Sequence, residues 1–238
     1  MNLFLAPLAT RFKDRHFDHD IITLCVRWYV TYKLSYRGLA NMMAERGIEV
    51  AHTTIMRWVQ HYIPEFEQRW GRYARPVGTS WRIDETYIKL KGKWVYLYRG
   101  VDKEGQTIDF FLSERRNIAA AKHFLQRAIE KHGAPLKLTL DGYAASHEAV
   151  AELQEEGALS PDLIVRTNRY LNNVIEQDHR RVKQRVRPML GFKRFAHAAV
   201  TISGIELVHQ IKKGQFNIAA FCSPHARTPQ VWESLLAA

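Results

Sequence analysis

The chain has 238 residues, 46% of them hydrophobic and 25% charged, with a formal net charge of +11 at pH 7. That length can bury a full core, as one large domain or one domain plus a small one, and the composition excludes a disordered chain. The charge points to a polyanionic partner, nucleic acid above all. Two distant cysteines, Cys25 and Cys222, exclude a disulfide framework, and no apolar run reaches the roughly 18 residues of a membrane span.

Residues 1–9 are apolar but short and without a basic leader, so residues 1–15 read as an extension and not as a secretory signal. Residues 20–32 repeat Ile21, Leu24, Cys25, Trp28 and Tyr32 at helical spacing. Ser35 reads as the N-cap of a second helix through Arg46, with Leu39, Met42 and Met43 as its apolar stripe and Gly47 ending it in the left-handed region. Thr53 reads as the N-cap of a third helix to about Tyr62, with Ile55, Trp58 and Val59 inward and Pro64 closing it. Helix, short Gly-containing turn, helix is the outline of a helix-turn-helix, and also of a helical bundle that never meets DNA. As a helix-turn-helix it would read DNA with Thr53, Thr54 and Arg57 of the third helix. Arg69, Arg72 and Arg75 form a basic connector, and Pro76 and Gly78 put a domain boundary near residue 77, which closes a region of residues 16–77.

Residues 81–90 are rich in β-formers, Lys91-Gly92-Lys93 is a turn, and residues 94–101 are a second strand. Residues 102–105 turn again on Gly105 into a third strand over 107–113. A helix over 117–132 follows, then a strand over 136–140, a helix over 146–156, a strand over 162–166 and a helix from 172 to about 186. The order predicts a mixed α/β domain with a five-stranded sheet over residues 78–190. A last helix over 195–213 belongs to a C-terminal region, 191–238.

The charge is not spread evenly. Residues 1–77 carry 11 basic and 7 acidic groups, residues 78–163 carry 12 and 13, residues 164–194 carry 9 and 2, and residues 195–238 carry 3 and 2. Two basic stretches around a near-neutral middle suit a protein that meets DNA with two surfaces. In the second stretch Arg166, Arg169, Arg180, Arg181, Arg185, Arg187, Lys193 and Arg194 are the candidates for phosphate contacts. Trp70 and Trp94 read as core or interface residues.

Three acids stand apart from the surface ones. Asp84 lies inside the first strand, Asp141 at the carboxyl end of the fourth, and Glu176 on the helix that opens Asn172-Asn173-Val174-Ile175. Carboxylates in half-buried elements need a partner or a metal. These three can converge in this topology and hold two Mg²⁺ ions for an in-line phosphoryl displacement. No P-loop, serine triad or Cys/His zinc spacing competes with that reading.

The sequence resembles bacterial insertion-sequence transposases with an integrase-type DDE core, nearest the family typified by insertion sequence six. The matches run in order from Val26-Arg27-Trp28-Tyr29 and Thr54-Ile55-Met56-Arg57-Trp58-Val59 through Trp81-Arg82-Ile83-Asp84-Glu85-Thr86-Tyr87. They continue through Asn172–His179, Arg180, Lys183, Gly204-Ile205-Glu206 and Lys213-Gly214-Gln215. The resemblance implies an RNase H-like fold with Asp84, Asp141 and Glu176 as catalytic, metal-binding triad, Mg²⁺ as cofactor with Mn²⁺ as substitute, and Lys183 near terminal DNA. It implies DNA partners (inverted-repeat ends and target), a homo-oligomer of two or more copies, cointegrate products, and a cytoplasmic, nucleoid-associated protein with no membrane or small-molecule cofactor. After Asp141, Tyr143 comes early and Ser146 stands where an aromatic is common. A non-catalytic helix-turn-helix regulator and an RNase H-like nuclease without joining activity are the rival classes.

Overall fold

The computed structural model describes residues 17–167, 173–189, 192–219, 222–223, 226–227 and 229–232. The 1–15 extension and Arg169 therefore lie outside the described residues. The chain forms two units, one taking in the chain up to Arg75 together with the stretch from Val200 onward, the other Pro76–Ala199.

The first unit opens with α1 (His19–Thr31), α2 (Tyr36–Ala44) and α3 (His52–Gly71). Ser35 caps α2 as its sequence position implies, its hydroxyl accepting from the Gly38 N–H. Gly47 has φ 74°, and the Gly47 and Ile48 N–H groups return to the Ala44 and Met43 carbonyls, a Schellman ending that only a residue tolerant of positive φ permits. Four details differ from the sequence reading, one being that Arg69, assigned there to a basic connector, is buried inside α3 and paired with Glu65. The buried stripe of α1 is Ile22, Cys25, Val26, Tyr29 and Val30, while Tyr32 is exposed; the helix is apolar nearly all round, so periodicity alone does not choose the face. Helix α3 starts at His52 with Ala51 at its cap, and no side chain caps it. It also runs through Pro64. A mid-helix proline costs about 3 kcal/mol, and continuing the helix buries Phe66 and Trp70, each a side chain of 150–250 Å².

The partners of those rings come from the far end of the chain. Helix α7 (Phe195–Lys212) and the segment after it bring Trp232 to 5.3 Å from Phe66 and Phe216 to 4.7 Å from Trp70. Gly204 of α7 is there because nothing larger fits, since a Cβ would sit 2.7 Å from Ile63 and 2.8 Å from Val30.

The second unit is a five-stranded sheet in the order β3-β2-β1-β4-β5. Its strands are β1 (Ser80–Leu90), β2 (Lys93–Asp102), β3 (Thr107–Ser113), β4 (Lys137–Leu140) and β5 (Ile164–Thr167). The first three form an antiparallel meander, and β4 joins β1 in parallel. Lys91 and Gly92 turn β1 into β2 with φ 48° and 80°, the backbone of a type I′ hairpin turn. Helices α4 (Ile118–His132) and α5 (Ala144–Glu155) cover one face, packing Phe124, Leu125, Val150 and Leu153 against Trp81, Ile83, Tyr98 and Leu138. Helix α6 (Asn173–Val186) lies against β1 and β2. Strand alternation assigns it the opposite face, because Asp84 and Arg99, paired across β1 and β2, both reach it. Among the described residues, β1 pairs with β4 over Ser80–Arg82 alone, so its second half keeps an open edge apart from one bridge, Leu90 to Phe192.

Candidate active site

The register builds the site. Arg82 of β1 pairs with Thr139 of β4, so two residues further on, where the pairing ends, Asp84 and Asp141 stand side by side. Asp84, Glu85 and Asp141 each offer a carboxylate oxygen, and the three oxygens lie within 4.8 Å of one another. Such proximity of three anions requires compensation.

Arg116, in the loop before α4, supplies it. Its guanidinium donates to Glu85 Oε2 at 3.2 Å and to Asp141 Oδ2 at 3.3 Å. It stacks on the Tyr143 ring at 3.7 Å, while the Tyr143 hydroxyl donates to the Arg116 carbonyl. Glu85 is committed on both oxygens, since Ser146 Oγ–H donates to Oε1 at 2.9 Å. Burial, and after it the charge of Asp141, pushes the Glu85 carboxyl above the usual carboxylate range, while Arg116 and Ser146 oppose that shift. Asp141 Oδ1 accepts the Tyr143 N–H at 3.0 Å. Asp84 Oδ2 accepts from His179 Nε2 at 3.1 Å, which requires the proton on Nε2 when Asp84 is ionised.

The carboxylates thus divide by role. Glu85 and Asp141 are both held on both oxygens, but the Glu85 side chain is 3% exposed, whereas those of Asp84 and Asp141 are 18% and 29% exposed and within reach of an incoming ligand. Hard oxygen donors held by neighbouring hydrogen bonds suit a divalent ion such as Mg²⁺. Glu176 stands outside this cluster, exposed in the first turn of α6. It lines, with Asp84 and Glu85, a cleft of about 1100 Å³.

Helix α6 sorts its residues by spacing. Ile175, Asp178, His179, Val182 and Val186 are buried, and Asp178 pairs with the fully buried Arg99 at 3.3 Å. Glu176, Arg180, Lys183 and Arg187, the last just past the helix end, recur every three or four residues and line the cleft. Of the expected phosphate contacts, Arg166, Arg181, Lys193 and Arg194 are exposed. Arg185 is not, since at 5% exposure it sits on the buried stripe of α6. Thr53 and Arg57 of α3 are exposed and Thr54 is half-buried. The sequence reading missed Glu85, Arg116 and His179 as parts of this site. Glu85 and His179 lie inside motifs already singled out, whereas nothing local marks Arg116. Tyr143 and Ser146, the departures after Asp141, hold Arg116 and Glu85.

A mixed sheet with this strand order, helices on both faces and an acidic pair where β1 parts from β4 is an RNase H-like domain. The family model DDE_Tnp_IS240, described as a DDE domain, matches residues 78–215. The transposase for insertion sequence-like element IS431mec of Staphylococcus aureus strain Mu50 is 41% identical over 202 residues, covering 85% of this chain and 88% of that one. The Staphylococcus aureus transposase for element IS257 in transposon Tn4003 is 40% identical over the same shares. Among solved structures, the HTLV-2 integrase catalytic core domain in complex with magnesium matches 65% of this chain and 97% of its own, with 16% identity and a TM-score of 0.45. The chain belongs to the DDE transposase family. That membership carries dependence on a divalent metal ion.

Proposed function

We propose that this transposase binds the terminal inverted repeats of its own insertion sequence, nicks the DNA at those ends, and joins the freed 3′-hydroxyls to target DNA to give cointegrates. Asp84, Asp141 and Glu176 would hold Mg²⁺, and bound ions of that kind activate the attacking oxygen and stabilise the leaving one in phosphoryl displacement. The chain's own residues do the rest. His179 fixes the Asp84 carboxylate, and the Tyr143 N–H with Arg116 fixes that of Asp141. Arg180, Lys183 and Arg187 draw the phosphate backbone along α6 towards Glu176. Thr53, Thr54 and Arg57 at the start of α3 would meet the repeat sequence in the major groove. Two ends brought together require more than one copy of the chain.

The observation that carries this reading is the pairing of two partly exposed aspartates, Asp84 and Asp141, near the head of a cation-lined cleft. A plasmid-fusion assay with the gene and its flanking DNA tests it, comparing the wild type with Asp141→Asn. Fusion by the wild type and none by the variant is the expected result. Equal fusion by both removes Asp141 from the chemistry. Linear, unjoined products point to a nuclease, and end binding with neither cutting nor joining points to a regulator.

A further inference from the structure

The hairpin end of β1 and β2 extends past the cover of α4 and α5. On the face that carries Glu85 and Tyr98, alternation places Tyr87 and Lys89 of β1 opposite Tyr96 and Trp94 of β2. Trp94, read from the sequence as a core or interface residue, lies outside the core at 59% exposure, and Tyr87 is 47% exposed, their rings 6.2 Å apart and edge to face. Lys89 Nζ lies 5.9 Å from the Trp94 ring centroid. These residues are no separate surface patch. Tyr87, Lys89 and Trp94 line the same cleft as Asp84, Glu176 and the cations Lys183 and Arg187.

A large aromatic exposed beside acids and cations suits a ligand with both phosphate charge and a flat apolar face. Nucleic acid has both, but a duplex offers a protein only base edges and backbone, because its base faces are covered by stacking. A ring face is matched by a base that has left the stack. We propose that Trp94, with Tyr87 beside it, is a stacking platform for an unpaired base of the strand whose phosphodiester is presented to Asp84 and Asp141. The proposal rests on the DNA-processing reading above. It gives the hairpin a task that the acids and α6 do not perform, which is to hold the strand open so that a single backbone enters the cleft.

The test is binding by the full chain in EDTA, so that cutting does not intervene. The probes are a fully paired duplex and the same duplex with a short single-stranded gap carrying 2-aminopurine. The wild type is expected to bind the gapped probe more tightly and to quench its fluorescence. Trp94→Ala is expected to weaken gapped binding about five- to a hundredfold, abolish the quench and leave paired binding unchanged, with Trp94→Phe keeping most of both. Equal weakening on both probes, or unchanged preference for the gap, overturns the platform. A shifted sedimentation coefficient with the gap preference intact also overturns it, assigning Trp94 to a contact between copies. A wild type that binds neither probe overturns the DNA reading itself, whereas one that binds both equally overturns the platform alone.

Discussion

Arg116 holds together a site that would otherwise repel itself. Three carboxylates share a radius of a few ångström, and its guanidinium touches two of them. Arg116→Ala should lower unfolding stability by about 1.5–3 kcal/mol, the worth of hydrogen bonds to charged groups. Adding Glu85→Gln should recover part of that loss, because the stranded buried charge is then gone, and denaturant titration of the four proteins measures the coupling. Cys25 offers a separate check on burial in the first unit. Its thiol is 0% exposed and pushed by burial up to about 11, so it stays protonated and shielded at neutral pH. A thiol reagent at pH 8 should therefore modify Cys222 in the native protein and reach Cys25 only after unfolding, as mass spectrometry of the labelled peptides will show. At this scale the sequence is uneven evidence. Asp84 and Asp141 are legible because a carboxylate inside a strand or at its end contradicts its surroundings. Arg116 looks like any surface arginine, and only the fold carries it across to β1 and β4.

Among the elements, α6 presents Glu176 and three cations to the cleft and is held to the sheet by buried polar contacts. Arg99 and Asp178 meet with almost no solvent exposure, joining α6 to β2 beside the bond between His179 and Asp84. Such a pair adds little net stability, but removing one partner leaves a buried charge and costs about 3–5 kcal/mol. Asp178→Ala should show that loss in thermal or denaturant melts. The remaining fold should also cleave poorly, because Glu176 shares the helix. Strand β1, from its run of β-forming residues, and helix α6 were legible as elements to within a residue of their ends. The passage of α3 through Pro64 was not, because the rings that outweigh the proline's cost, Trp232 and Phe216, lie more than 150 residues further along the chain. The buried face of α1 was hidden for a related reason, since a helix apolar over most of its circumference shows its orientation only once its neighbours are placed.

For the whole molecule, the +11 charge resolves into placed groups. If Arg180, Lys183 and Arg187 each neutralise a phosphate, replacing them singly by alanine should reduce the slope of log affinity against log salt by about 1 apiece. Fluorescence anisotropy with a DNA duplex at several salt concentrations measures it, and an unchanged slope would move these cations off the DNA path.

The division of the chain into units has a consequence for its biosynthesis. Helices α1 to α3 precede the sheet unit in the chain, yet Phe66 and Trp70 find Trp232 and Phe216 only when the stretch beyond residue 200 has been made. The sheet unit, continuous from Pro76 to Ala199, has all its parts earlier and is free to fold while the first unit waits with apolar surface uncovered. A chain truncated after Ala199 should therefore protect β1 to β5 from protease while α3 remains cleavable, and addition of the stretch that carries Phe216 and Trp232 becomes the event that closes the first unit.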